Sequence, residues 1–127
     1  MGVMQPTETR SFLATSALTG YQYCMVKLDT TQGYIALATD PTANTTIGVL
    51  LNEPLAGDVA RVRLLNTTVF VIAAAAFSIG ATLAVTTGGQ VQADTTAGHA
   101  IVGIALEAAG AQGDRVEMMI CNKYYHA

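Results

Sequence analysis

The amino-acid sequence repeats itself once. Ile47-Gly48-Val49-Leu50-Leu51 returns as Val102-Gly103-Ile104-Ala105-Leu106. Gly57-Asp58-Val59-Ala60-Arg61-Val62-Arg63-Leu64 returns as Gly113-Asp114-Arg115-Val116-Glu117-Met118-Met119-Ile120. Upstream, Thr31-Gln32-Gly33-Tyr34-Ile35 lies opposite Thr87-Gly88-Gly89-Gln90-Val91. The offset is 55 residues for the first block (47 to 102) and 56 for the other two (57 to 113 and 31 to 87). A period held to within one residue across three blocks implies that both halves build one and the same supersecondary unit. Such a unit has few strands and little core, so it is marginal alone; two together close a small barrel-like domain.

The local pattern within each half is that of strands. Ala60, Val62 and Leu64 alternate with Arg61 and Arg63, and Val116, Met118 and Ile120 alternate with Glu117 and Met119; period two places each set on one face of a strand. Tyr34 to Ala38 and Gly89 to Ala93 read as short strands after the Gly-containing turns 31–33 and 87–89. Gly33 and Gly89 suit a left-handed turn, whereas Gly48 and Gly103, inside strand patterns, imply a bulge or a close backbone approach. Turn signals recur about every 8–12 residues, the spacing of a sandwich or small barrel. Ala73 to Phe77 is the one stretch that suits a short helical turn. The expected fold is therefore all-β: a small single-domain β-barrel or sandwich-like fold with two pseudo-repeated halves and at most short helical turns. Residues 1–13 precede the repeat and show no periodicity, which gives an extended N-terminal arm, with residues 14–127 as the β-rich domain.

Composition narrows the function. With 127 residues the chain suffices for one core, and its charged fraction of 12% is about half the usual value. The six basic residues, Arg10, Lys27, Arg61, Arg63, Arg115 and Lys123, are too scattered to track a phosphate backbone, which argues against a nucleic-acid partner. Leu64 to Ala93 carries no charge, and Val69 to Val85 approaches the length of a membrane span. Ser78, Gly80 and Thr82 interrupt it, and no basic flank or aromatic belt frames it, so buried β structure is expected instead of a membrane segment. No basic start followed by an apolar run marks a secretory leader. Cys24 and Cys121 lack the spacing of a zinc or redox pair; they read as two buried thiols or as a bridge between the chain ends.

No catalytic constellation appears. His99 and His126 are isolated in sequence, and the Gly-x-Ser-x-Gly nucleophile motif is absent. Asp58 and Asp114, related by the repeat, are the best pair of carboxylates for an enzyme, yet an Asp after Gly is also an ordinary turn former. No metal-ligand motif and no cofactor loop is present, so the expectation is a non-enzyme without metal or cofactor. Tyr21, Tyr23, Tyr124 and Tyr125 are amphipathic aromatics of the type enriched at interfaces. A surface so poor in charge suits a subunit docked against copies of itself or against a host surface.

The blocks Ile47 to Leu51, Ala56-Gly57-Asp58 to Val62, Val102-Gly103-Ile104-Ala105-Leu106-Glu107-Ala108-Ala109 and Gly113 to Glu117 resemble those of the small capsid decoration, or cement, proteins of tailed bacteriophages. The resemblance spans about residues 20 to 122, and Val69 to Val85, with Gly80 and Leu83, is similar as well. The chain departs from the family in a middle stretch without lysine and in a Tyr-rich tail beyond the last block. The resemblance implies a structural virion protein on the outer surface of the expanded head. It would act as a homotrimer on the major capsid protein and stabilise the lattice against internal DNA pressure, with no catalytic residues. The arm, with Gln5, Pro6, Thr7, Glu8, Thr9 and Arg10, would contact the capsid or a neighbouring subunit, as would Tyr124 and Tyr125 of the tail. The alternative is a carbohydrate-binding or adhesin module on a virion or cell, with Tyr21, Tyr23 and Tyr34 as its stacking platform.

Overall fold

A computed structural model of the chain describes residues 9–42, 45–64 and 68–125, of which 121–125 as backbone only. Ten strands run in chain order: β1 (Thr9–Ala14), β2 (Met25–Leu28), β3 (Tyr34–Leu37), β4 (Thr46–Leu50), β5 (Val59–Arg63), β6 (Thr68–Ile72), β7 (Thr82–Val85), β8 (Val91–Ala93), β9 (Ala100–Ala105) and β10 (Arg115–Tyr125). The protein is all-β, with no helix among the described residues. No helix of the described residues is long and apolar enough to cross a membrane; the uncharged middle stretch is divided among β6, β7 and β8.

The sequence repeat becomes a structural one. The first five strands form a closed barrel in the order β1-β3-β2-β4-β5, and the last five a sheet in the order β6-β10-β9-β7-β8. Read around the barrel from β1 through β5, the first order is β1-β5-β4-β2-β3, which is the second order with every strand moved on by five. Closure differs. In the first unit β1 and β3 pair in parallel through Leu13–Tyr34 and Ala14–Ile35. In the second unit only an isolated parallel bridge, Ala73–Val91, stands at the corresponding place.

Individual hydrogen bonds repeat too. Asp58 O accepts from Ala14 N and Ala14 O from Gly57 N, at 3.0 and 2.8 Å. Asp114 O accepts from Ala73 N and Ala73 O from Gly113 N, both at 2.8 Å. Gly33 and Gly89 have φ of 84° and 76°, as their turns require. Gly48 lies so close to the backbone of Arg63 that a Cβ there would collide with the Arg63 carbonyl oxygen; Gly103 is pressed in the same way against Met118. Strand register slips beside both: between Val26 and Lys27 opposite β4, and between Ile120 and Tyr124 opposite β9. The bulge and the close approach expected of these glycines thus occur together.

Burial explains the runs of apolar residues. Phe12, Ala14, Leu18, Val26, Ile35, Leu50, Ala60 and Val62 fill the first barrel. A second, larger cluster holds Val69, Val71, Leu83, Val85, Val102, Met118 and Ile120, and also Met25, Ala38 and Val49 of the first unit. Since side chains alternate along a strand, Met25 and Val26 of β2 point to opposite faces, as do Val49 and Leu50 of β4. Each of these strands therefore has one side chain in either core. That is why Cys24-Met25-Val26 and Val49-Leu50 read as continuous apolar sequence rather than as an alternation.

Two expectations need correction. Ala73 to Phe77 forms no helical turn: Ala73 bridges to Val91 and Phe77 to Ala109, with a bend between them. Nor does an arm extend to residue 13. Thr9 to Leu13 pair in antiparallel register with Arg63 to Val59, and Phe12 is buried. The alternation of Arg10, Phe12 and Ala14 is too short to stand out from the polar residues before it. Residues 1–8 lie outside the described part of the chain.

Candidate functional site

Where the two units meet, a cleft of ≈ 400 Å³ opens between Tyr23 and Leu51 of the first unit and Thr68, Val69, Phe70 and Glu117 of the second, with Arg63 between them. Strand geometry places these side chains. The outward positions of β5 are Val59, Arg61 and Arg63; Phe70 of β6 pairs with Glu117 of β10, so both face outward side by side. Tyr23 precedes β2 in a left-handed backbone conformation, with φ 68°, which is unfavourable for a bulky residue. Two contacts hold it there: its N–H donates to the Leu50 carbonyl at 2.7 Å, and its carbonyl accepts from Ile72 N at 3.2 Å. The second contact ties β6 to the first unit.

The ring of Tyr23 meets that of Phe70 edge to face, at 6.0 Å and 71°. The Arg115 guanidinium sits over both rings, 4.9 Å from the centre of Phe70 and 5.7 Å from that of Tyr23. Cation–π contacts of this type contribute about 0.5–1 kcal/mol at exposed sites. Arg63 is held less well. Its Nη1 reaches the Thr68 carbonyl at 3.4 Å, and its Nε–H is buried without a hydrogen-bond partner. Among the described residues neither arginine is ion-paired, and the ion pair is His99–Asp94.

That pair gives His99, isolated in sequence, a carboxylate partner. His99 Nδ1 lies 2.7 Å from Asp94 Oδ2, and Thr96 N donates to Asp94 Oδ1 at 2.7 Å. Burial pulls the Asp94 carboxyl upward, but the bonds from His99 and Thr96 outweigh it, and the net shift is downward. The arrangement closes the loop between β8 and β9, which joins the first unit where Ala100 N donates to the Pro41 carbonyl at 2.8 Å. Asp94-x-Thr96 is the signature of a side chain capping its own turn, a signal that was present in the sequence.

The paired Asp58 and Asp114 are turn formers. Asp114 Oδ2 accepts from Gly110 N and Ala111 N at 2.8 and 3.1 Å, while Asp58 enters its turn through its backbone N–H, bonded to the Leu55 carbonyl. They stand on separate units. Cys24 is a buried free thiol whose pKa is pushed up to about 11 by burial.

The expected contact residues are dispersed. Gln5, Pro6, Thr7 and Glu8 lie outside the described residues. Thr9 pairs with Arg63 at the end of β5, and the Arg10 guanidinium lies 4.7 Å over the Phe12 ring. Tyr124 and Tyr125 extend β10 and pair with Ile101 and Ala100, so they belong to the other sheet. Sequence reading passed over Phe70, Leu106, Met119 and Ile79, which are exposed by 42, 39, 42 and 71%. Phe70 was hidden in an uncharged run that reads as uniformly buried; only the alternation Thr68-Phe70 against Val69-Val71 marks its outward face.

No protein-family model matches the chain, and no curated protein matches it in sequence. The likeness lies in three dimensions. The N base of the head fiber gp8.5 of bacteriophage phi29 superimposes with a TM-score of 0.69 at 19% sequence identity, over 95% of this chain and 99% of that one. The two proteins share a fold from end to end.

Proposed function

We propose that this protein is a structural component of a bacteriophage virion that binds the outside of the head. The observation that carries this reading is the end-to-end likeness to a domain described as the base of a head fiber, with almost no unmatched residues on either side. The decoration-protein blocks in the sequence point the same way, and so do the exposed apolar side chains Ile79, Leu106 and Met119, which suit a protein that is docked when at work. In the finer form of the proposal, the protein is a trimer that binds the expanded lattice and stabilises it. A ligand that binds one of two states shifts their equilibrium by its differential affinity, so tight binding to expanded heads alone suffices. Three linked weak contacts on one trimer would raise the avidity.

The test is co-sedimentation of the purified protein with expanded and unexpanded heads of its phage, together with its mass in solution and when bound. Saturable binding to expanded heads, and slower DNA loss on heating them, supports the proposal; absence of binding to either form refutes it. The carbohydrate-binding alternative has less support. The Tyr23 ring meets Phe70 and lies under Arg115, which leaves it poorly placed as a sugar platform.

A further inference from the structure

We infer that the cleft between the two units is a carboxylate-binding site, which receives an Asp or Glu side chain presented by a protein partner. This holds whatever the protein is mounted on. Arg63 carries the argument. In the observed pose its Nε–H is shut away from water with nothing to bond, and its Nη1 makes only a long contact to the Thr68 carbonyl. A buried charge-bearing donor left unmade is costly. A rotation that turns the guanidinium into the cleft frees the Nε–H and Nη–H edge, whose parallel N–H bonds match the two oxygens of one carboxylate. Among the described residues the Arg63 Nε–H therefore lacks an acceptor, which a partner can supply.

The surroundings select the anion. Arg115 does not line the cleft but stands over the rings of Phe70 and Tyr23 that do, and it adds a nearby second positive charge without an acidic partner among the described residues. Glu117 lines the same cleft and offsets part of that charge. The balance suits one negative charge and disfavours a phosphate dianion. The apolar wall of Tyr23, Leu51 and Phe70 suits the methylene stem and neighbours of an acidic side chain. A sugar acid would need an open ring face, and Arg115 already covers Phe70 at 4.9 Å.

The site is tested on the protein alone, by following the Arg63 Nε–Hε resonance by NMR. The probes are N-acetyl-glutamate N-methylamide, inorganic phosphate and glucuronate, at matched ionic strength. The glutamate derivative should shift that resonance saturably. Arg63→Lys keeps the charge but loses the fork and the reporting N–H; followed in both proteins through the backbone amide of Phe70, which lines the cleft, binding should weaken about tenfold with the fold intact by circular dichroism. Arg115→Gln, which removes the charge over Phe70 and Tyr23, should weaken it to a smaller degree. An unmoved resonance, a shift reproduced by chloride, tighter binding of phosphate or glucuronate, or full affinity in Arg63→Lys would each overturn the assignment. So would an Arg63 signal that loses its unpaired character only through Glu8 of this chain, seen as its change in Glu8→Gln.

Discussion

Asp94 and Gly48 show how much single residues decide. The Asp94 carboxylate is held below the usual carboxylate range in the folded chain by His99 and Thr96, against the opposing effect of burial. A carboxyl with a depressed folded pKa contributes stability above its unfolded value, near 4, and that contribution is lost as pH falls through the folded value. Thermal unfolding followed from pH 6 downward should therefore show Tm falling in acid, with a shallower fall in Asp94→Asn. An equal slope in the variant would mean that the pair contributes nothing to acid sensitivity. At Gly48 the constraint is steric: a methyl group would meet the Arg63 carbonyl, which is fixed in a strand. Gly48→Ala should destabilise by about 1–3 kcal/mol in denaturant melts, whereas Gly88→Ala, with open space around it, should be near neutral.

At the scale of elements, strand period and turn chemistry were legible because they are local. The alternations in β5 and β10 and the turns at Gly33 and Gly89 needed no distant information. The repeat then supplied what a single strand cannot, namely that the domain is built from two halves of one design; that each half has five strands came only with the structure. What stayed hidden depends on partners far away in the chain. β1 is a strand because β5 and β3 lie on either side of it, and nothing in Thr9-Arg10-Ser11 announces them. The cleft is hidden for the same reason: Tyr23, Arg63, Phe70 and Glu117 come from four separate segments, and each alone is an ordinary residue of a β protein. The correction at β1 has a measurable consequence. Deleting residues 1–8 should leave Tm within a few degrees of the parent, while deleting 1–14 removes Phe12 and both β1 ladders and should abolish the cooperative transition. If the longer deletion melts like the parent, β1 is dispensable to the barrel.

For the whole molecule, the decisive fact is the unequal sharing of core. The first barrel fills itself with its own residues, all between 12 and 62. The second cluster also takes Met25, Ala38 and Val49 from the first unit. The intact chain should therefore unfold in one transition, since loss of the first unit exposes the core of the second. Met25→Ala should cost about 2–5 kcal/mol, within the range for a buried large-to-small change, without splitting that transition in two. Expressed separately, residues 1–64 should retain β-type circular dichroism and residues 65–127 should not. A folded C-terminal half would show that the borrowed side chains are not needed.

The same asymmetry gives the chain a direction in time. Synthesis on the ribosome delivers the self-sufficient barrel first, complete once Arg63 has cleared the exit tunnel. Met25 and Val49 then wait on its flank as a template on which the later strands can condense as they emerge. Had the borrowing run the other way, the first half would have waited unfolded for a partner not yet made.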